Sequence, residues 1–292
     1  MARMLAPGGQ SRRFPRGAMI ETRPSERLSA MVHRSANADR ASVGGGRVLM
    51  WEGGSLWVSR ATGRAQPHAH HAIQVTLAPD HPVRLRDAGS MEWRQEQASI
   101  VLPHRSHQFD GDGRDVAMVF IEPETAAGRR LVARYGDADL AGIADAAVLD
   151  IARELLRLVD DRAEDAVLVA GAKRIVDRLA GEVTVAATVD PRIARALEWM
   201  RSRLASPIAL AQAASVVHLS PGRFRHLFVA QTGISFRAYL LWARVGTAMV
   251  AAMAGESWTR AAQDAGFADS AHFSRTCRRM FGIAPSMLER AG

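Results

Sequence analysis

Two stretches of the chain, residues 208–234 and 258–283, read alike when one is slid along the other. In each, a small Ala (Ala214 or Ala262) precedes a turn residue four positions on (His218 or Gly266). A polar residue able to cap a helix follows (Ser220 or Asp269), then an aromatic (Phe224 or Phe273), then a Gly-Ile pair (Gly233-Ile234 or Gly282-Ile283). Each position has a physical reason. The Ala lets a second helix cross closely, and the turn residue must accept a positive backbone dihedral, which Gly does freely and His less readily. Ser and Asp cap the second helix, and the aromatic anchors it to the first. These are the needs of a helix-turn-helix, whose second helix offers its outer face to a DNA major groove. One copy is weak evidence, but two copies joined by an amphipathic helix near Ser235–Ala254 are specific. Asp190-Pro191, a cap followed by Pro in the first helical position, marks where this helical region begins.

Residues 190–290 resemble the DNA-binding domain of AraC/XylS-type transcription regulators. The first half of that family's pattern stands here as Ala214, Leu219-Ser220, Phe228, Thr232-Gly233, Phe236, Tyr239-Leu240 and Arg244. The second half stands as Ala262, Gly266-Phe267, Phe273-Ser274-Arg275, Phe281-Gly282 and Pro285. The resemblance implies seven helices, with two helix-turn-helix units linked by one long helix. It places Gly222, Arg225 and His226 toward DNA on the first reading helix, with Arg223 as a further contact. On the second it places Ser270, Ala271, Ser274 and Arg275 outward, and sends Arg278 and Arg279 to phosphates. An Arg bidentate to guanine is worth ~1–3 kcal/mol of discrimination. Two positions depart from the pattern. Cys277 replaces the usual Phe, read as a small buried hydrophobe, and Leu288 replaces an aromatic.

With 292 residues, the chain exceeds one ordinary core, so two domains are expected. Its 48% hydrophobic and 23% charged content excludes a wholly disordered chain, a collagen and a coiled-coil rod. The single cysteine excludes an intrachain disulfide and suggests a reducing compartment. No apolar run is long enough to cross a bilayer and no secretory signal is evident, so a cytoplasmic location is expected. The net charge of +8 is unevenly placed: residues 190–292 hold 13 Arg against 6 acidic residues, residues 47–189 hold 17 bases against 21, and residues 1–46 hold 8 Arg against 3. The basic C-terminal part suits a polyanionic partner.

Residues 1–46 read as a mostly disordered basic leader. Residues 47–122 carry short alternating runs (48–51, 56–60, 73–78, 83–86, 99–102, 116–121) split by turn residues, a β-sandwich or barrel pattern. Residues 123–189 turn helical in period, with Gly181 as a stop, and form a hairpin that either packs on the β part or faces a second copy. The expected fold class is therefore α+β in two domains. An N-terminal cupin-like β-barrel with a helical hairpin precedes a C-terminal all-α domain, residues 190–292, with two helix-turn-helix units.

Within the β region, Pro67-His68-Ala69-His70-His71, Gln74 and His107 resemble the histidine pattern of the cupin-type sensory domains that precede many AraC-type reading heads. A metal-binding cupin has Glu where Gln74 stands, so the resemblance implies a polar effector pocket, with His68, His70 and His107 as weaker metal candidates. Trp57 and Trp93 are expected to line this pocket with Trp51, Met118 and Phe120. No catalytic residue and no cofactor is expected. The reading is a regulator of the AraC type, controlled by an unidentified small-molecule effector. Its expected partners are double-stranded promoter DNA, a second copy of the chain and RNA polymerase, with no membrane. The alternative is a metal-dependent cupin enzyme with an appended helical domain.

Overall fold

The computed structural model describes residues 46–61, 63–136, 138–182 and 189–287. The basic leader and the Leu288 substitution therefore lie outside the described residues, apart from Gly46. The β region holds nine strands. A six-stranded sheet runs β1 (Arg47–Trp51), β2 (Gly54–Ala61), β8 (Arg114–Ile121), β3 (Ile73–Leu77), β6 (Ala98–Val101) and β9 (Leu140–Gly142) in spatial order. A three-stranded sheet runs β5 (Arg94–Glu96), β4 (Val83–Asp87) and β7 (His107–Asp110). Bridges Arg64↔Asp110 and His68↔His107 extend the small sheet along the segment before β3.

All five residues of β3 are buried, but their two faces differ. Ile73, Val75 and Leu77 join a core shared with the helices outside the sheet, so Gln74 and Thr76, by the strand's period of two, point to the opposite, interior face. There Gln74 lies near Trp57, Met118 and Phe120, which pack from β2 and β8. Six of the strands coincide with the alternating runs. β5, β7 and β9 were not anticipated, because they are three or four residues long and are polar (β5, β7) or lie between helical segments (β9).

Three helices cover the outer face: α1 (Ala126–Tyr135), α2 (Ala146–Asp160) and α3 (Asp165–Ala180). Thr125 and Asp145 cap α1 and α2 through their side chains, and Gly181 ends α3 at a φ of 57°. Leu155, Leu168, Ile175 and Leu179 bury against the sheet's Ile73, Val75, Val119 and Ile121, so the hairpin packs within the chain. Fully burying each such side chain contributes ~1.5–3 kcal/mol.

Six α-helices and one 3₁₀ turn (Pro285–Met287) follow among the described residues: α4 (Pro191–Arg201), α5 (Leu210–Val216), α6 (Pro221–Thr232), α7 (Phe236–Met253), α8 (Trp258–Asp264) and α9 (Ser270–Phe281). Asp190 caps α4 by accepting the Arg192 amide at 2.9 Å, with Pro191 in the first turn. The first half of α7 closes a core with α4–α6 built on Phe224, Phe228, Phe236 and Tyr239, whose rings meet edge-on or tilted 5.5–6.1 Å apart. Its second half closes another with α8 and α9, and that core includes Trp57, Ala72 and Phe120 of the β domain. The second helix-turn-helix thus shares its core with the β domain, which the first does not.

Candidate nucleic-acid interface and histidine site

The two helix-turn-helix units match atom for atom where the repeat requires it. The amides of Leu219 and Phe267 bond the carbonyls of Ala214 and Ala262, both at 3.0 Å. The turn residues His218 and Gly266 have φ of 55° and 84°. Ser220 and Asp269 accept the amides of Arg223 and His272. Gly233 and Gly282 end α6 and α9 in the left-handed region, at φ of 76° and 70°. Cys277 occupies the place of Phe228 in the second unit, is 2% exposed, and burial pushes its thiol pKa up to about 12. It is a core residue.

On α6 the residues Gly222, Arg223, Arg225, His226 and Val229 are exposed, and 222, 225, 226 and 229 form one stripe at helical spacing. A Cβ at Gly222 would meet open space, so its lack of a side chain leaves room for a close approach. Forty-nine residues on, Ala271, Ser274, Arg275 and Arg278 form the equivalent stripe on α9; Ser274 is half-buried and the others are exposed, as is Ser270. Val229 was missed by sequence reasoning. The offset that pairs it with Arg278 would have revealed it, and at 41% exposure it offers an apolar contact of the kind a thymine methyl accepts. The linking helix α7 has 18 residues, a length of ~27 Å. A DNA turn is ~34 Å, so α7 separates the stripes by a distance of that order.

The pocket residues divide. His68, His70 and His107 converge: one ring nitrogen from each lies within 4.8 Å of the others, and all three are buried. Burial lowers each imidazole pKa, that of His70 to about 3 and that of His107 well below its ordinary value. Gln74 joins them, its Oε1 2.9 Å from His70 Nε2 and its Nε2 donating to Thr76 Oγ1 at 2.9 Å. Trp57, His68, Gln74, Met118 and Phe120 line a cavity of about 90 Å³ together with Phe281, Ile283 and Met287 from the helical domain. Trp93 does not line it. Its ring is clasped by the Arg64 and Arg86 guanidinium groups, 4.9 and 4.7 Å from the centroid, on the small sheet. Trp51 packs instead against the core shared with the outer helices.

The contact between the domains carries polar groups that sequence reasoning did not find. Arg201 on α4 donates to the Glu122 carboxylate and, at 2.8 Å, to Tyr239 Oη. His71 Nε2 lies 2.9 Å from Glu124 Oε2, both side chains almost fully buried. Trp242 of α7 lies over His70, His71 and Phe120. Both left-handed glycines that close the reading helices abut the β domain. A Cβ on Gly282 would stand 2.3 Å from the Gln66 carbonyl oxygen, whereas one on Gly233 would meet only the His104 ring at 3.3 Å. Gly282→Ala is therefore expected to cost ~2 kcal/mol more than Gly233→Ala. Both pay ~1 kcal/mol of left-handed strain, but only Gly282→Ala must move a neighbouring backbone and break the Gln66 N–H···O=C Gly282 bond. Urea denaturation of the two variants checks this, and equal losses would contradict it.

Residues 213–291 match the family model described as "Helix-turn-helix domain". Among curated proteins, the chain is 31% identical over 88 residues to the uncharacterized HTH-type transcriptional regulator YpdC of Escherichia coli K12, covering 30% of this chain and 31% of that protein. The chain thus spans about a third of that relative's length. Among solved structures, the unsaturated fatty acid-bound ToxT of Vibrio cholerae strain SCE256 aligns over 83% of this chain and 99% of its own, with a TM-score of 0.52 and 11% identity. An AraC-type DNA-binding protein from Chromobacterium violaceum aligns over 34% of this chain and 88% of its own at 25% identity, with a TM-score of 0.33. Among the described residues no helix is long and apolar enough to cross a membrane. Through its C-terminal helix-turn-helix domain the chain belongs to the AraC-type regulators, a non-enzymatic family, and its β domain followed by an all-helical domain is the two-domain architecture of ToxT.

Proposed function

We propose that this chain is a sequence-specific, DNA-binding transcription regulator whose β domain senses a small molecule. The observation that carries this is the pair of exposed stripes, Gly222/Arg225/His226/Val229 and Ala271/Ser274/Arg275/Arg278, in equivalent register on two capped helices joined by α7. Each stripe presents cationic and small polar groups to successive major-groove turns on one face of double-stranded promoter DNA. Arg225 and Arg275 read bases, Arg223 and His226 add contacts on the first helix, and Arg278 and Arg279 meet phosphates. Ser270 and Asp269 at the start of α9 place backbone amides toward a phosphate. Pairing of two chains through residues 47–189 doubles the site, and RNA polymerase is the partner through which bound chains act on transcription.

The effector is a small, mainly apolar molecule. The cavity is lined largely by aromatic and aliphatic groups, with Arg60, His68 and Gln74 as its polar members, and a solved relative by fold carries an unsaturated fatty acid. At about 90 Å³ the cavity holds only ~3 waters, well short of the ~300 Å³ a drug-sized ligand occupies. A ligand of that size enters by displacing Ile283 and Met287, so its binding is felt at the end of the second reading helix.

Arg225→Ala and Arg275→Ala are each expected to weaken specific binding by ~5–150-fold, the equivalent of ~1–3 kcal/mol, with the fold retained. The measurement is fluorescence anisotropy on fragments recovered by genome-wide mapping of bound sites, at fixed salt. Unchanged affinity in both variants would sink the assignment.

A further inference from the structure

His68, His70 and His107 take no part in reading DNA, yet their rings are held in the same way. Each Nδ1 lies 2.8–2.9 Å from a backbone carbonyl two residues away: Gln66, Ala72 and Arg105 respectively. A carbonyl oxygen only accepts, so each Nδ1 bears the proton and each Nε2 is left with its lone pair. Imidazoles bound to a metal are oriented in this manner, the far nitrogen donating to a carbonyl or carboxylate. Two further observations point to a missing cation. His107 Nε2 is buried with no hydrogen-bond partner among the described residues. Gln74 Oε1 faces His70 Nε2 at 2.9 Å, acceptor against acceptor. Turning the Gln74 amide over would satisfy His70 but would leave His107 unpaired, whereas one cation among the three rings satisfies both. Burial also keeps the rings neutral, as ligands must be.

The cluster is joined to the reading head. The Gln66 carbonyl that orients His68 belongs to the residue whose amide donates to the Gly282 carbonyl at 3.0 Å. Gly282 is the C-cap of α9, and its missing Cβ is what lets it sit 2.8 Å from His68 Nδ1. Phe281 and Trp242 close over His70 at ring separations of 6.2 and 6.0 Å. We propose that His68, His70 and His107 bind one divalent transition-metal ion of the zinc type, with Gln74 Oε1 as an oxygen ligand, and that the ion fastens the second reading helix to the β domain. Imidazole nitrogens suit zinc and its neighbours, and a neutral amide oxygen completes a four-coordinate set. An ion at ~2.0–2.1 Å from each nitrogen draws the rings inward. Through His68 and Gln66 that motion holds Gly282, and with it the end of α9. The consequence for DNA rests on the reading of α9 proposed above, but the site itself does not.

The test uses the full chain and Zn²⁺ alone, so a failure here stays separate from any failure of the DNA assignment. Stripped with chelator, reloaded and desalted, the wild type is expected to retain one zinc per chain by elemental analysis, and Co²⁺ in its place to give the intense visible bands of a four-coordinate site. His107→Ala and His68→Gln should each weaken zinc binding by at least about 100-fold, and His104→Ala, outside the cluster, should not. Hydrogen exchange of the Gln66 amide should slow at least about tenfold on loading. Wild type that retains less than a tenth of an ion per chain, a result needing no variant, overturns the site, as does retention undiminished in both variants. Loading without slower exchange at Gln66 overturns the coupling to α9.

Discussion

Arg201→Ala is expected to cost about 3 kcal/mol and to loosen the helical domain from the β domain. The Arg201 side chain is 26% exposed and that of Glu122 12%, so the pair is poorly screened by water. Burial opposes the Arg201 charge, but Glu122, Tyr239 and Glu124 together outweigh it and hold its pKa above the ordinary value. Burial dominates at Glu122 and raises its carboxyl pKa, against the pull of Arg201. Removing the guanidinium leaves that carboxylate next to Glu124 with no cation of its own. Breaking such a pair costs ~3–5 kcal/mol, and the lower end applies because Glu122 can take up a proton. Tyr239 Oη also loses its donor. Replacing both partners, Arg201→Met with Glu122→Gln, should recover most of the loss, since a buried pair breaks nearly even against groups that need no counter-charge. Denaturant titration of the two single variants and the double variant measures this. A coupling of ~2 kcal/mol is expected, and strictly additive losses would show that the two side chains do not act as a pair.

What the sequence made legible follows from how local each feature is. The helix-turn-helix units could be read because their rules span ten or so residues: Ser220 and Asp269 as caps, His218 and Gly266 at the turns, Phe224 and Phe273 inward. The structure agrees at each of these positions. His68, His70 and His107 were found as residue types, but not as a cluster held by three carbonyls, because β7 reads His-Gln-Phe-Asp and shows no apolar alternation. All four of its residues are buried, as a strand may be when its polar groups are paired inside. The meeting of the domains was hidden for another reason. Arg201 and Glu122 are 79 residues apart, and nothing local marks either as a partner. One signal was available: α7 carries Tyr239, Trp242, Val245, Ala248 and Met249 around much of its circumference, and a helix apolar on most sides has neighbours on most sides. Trp93 was placed in the pocket for its aromatic character alone, yet Arg64 and Arg86 claim it as a stacking platform.

Taking the metal-free protein from pH 7.5 to pH 5 is expected to remove at least about 2 kcal/mol of its stability. His70 has a folded pKa of about 3 against an ordinary 6.5, chiefly because burial disfavours its charged form, with His68 and His71 adding repulsion. A histidine with a depressed folded pKa contributes stability that is present above its unfolded value and lost as pH falls toward the folded one. The unfolded chain therefore binds a proton below about pH 6.5 that the folded chain refuses until about pH 3, worth ~1.4 kcal/mol per unit between. His70 alone accounts for ~2 kcal/mol at pH 5 by this arithmetic, and His68 and His107, both lowered by burial, add in the same direction. The groups facing the cluster do not relieve it: Gln74, Phe120, Trp242 and Phe281 carry no charge. Glu122 acts oppositely, since its raised pKa gives stability that is lost as pH rises, so it offsets part of the effect. His70→Gln should flatten the pH dependence of denaturation midpoints below pH 6.5 by about one proton, or ~1.4 kcal/mol per unit. An unchanged slope in His70→Gln would mean that this imidazole is charged in the folded protein, and a charged ring has no lone pair left for a metal.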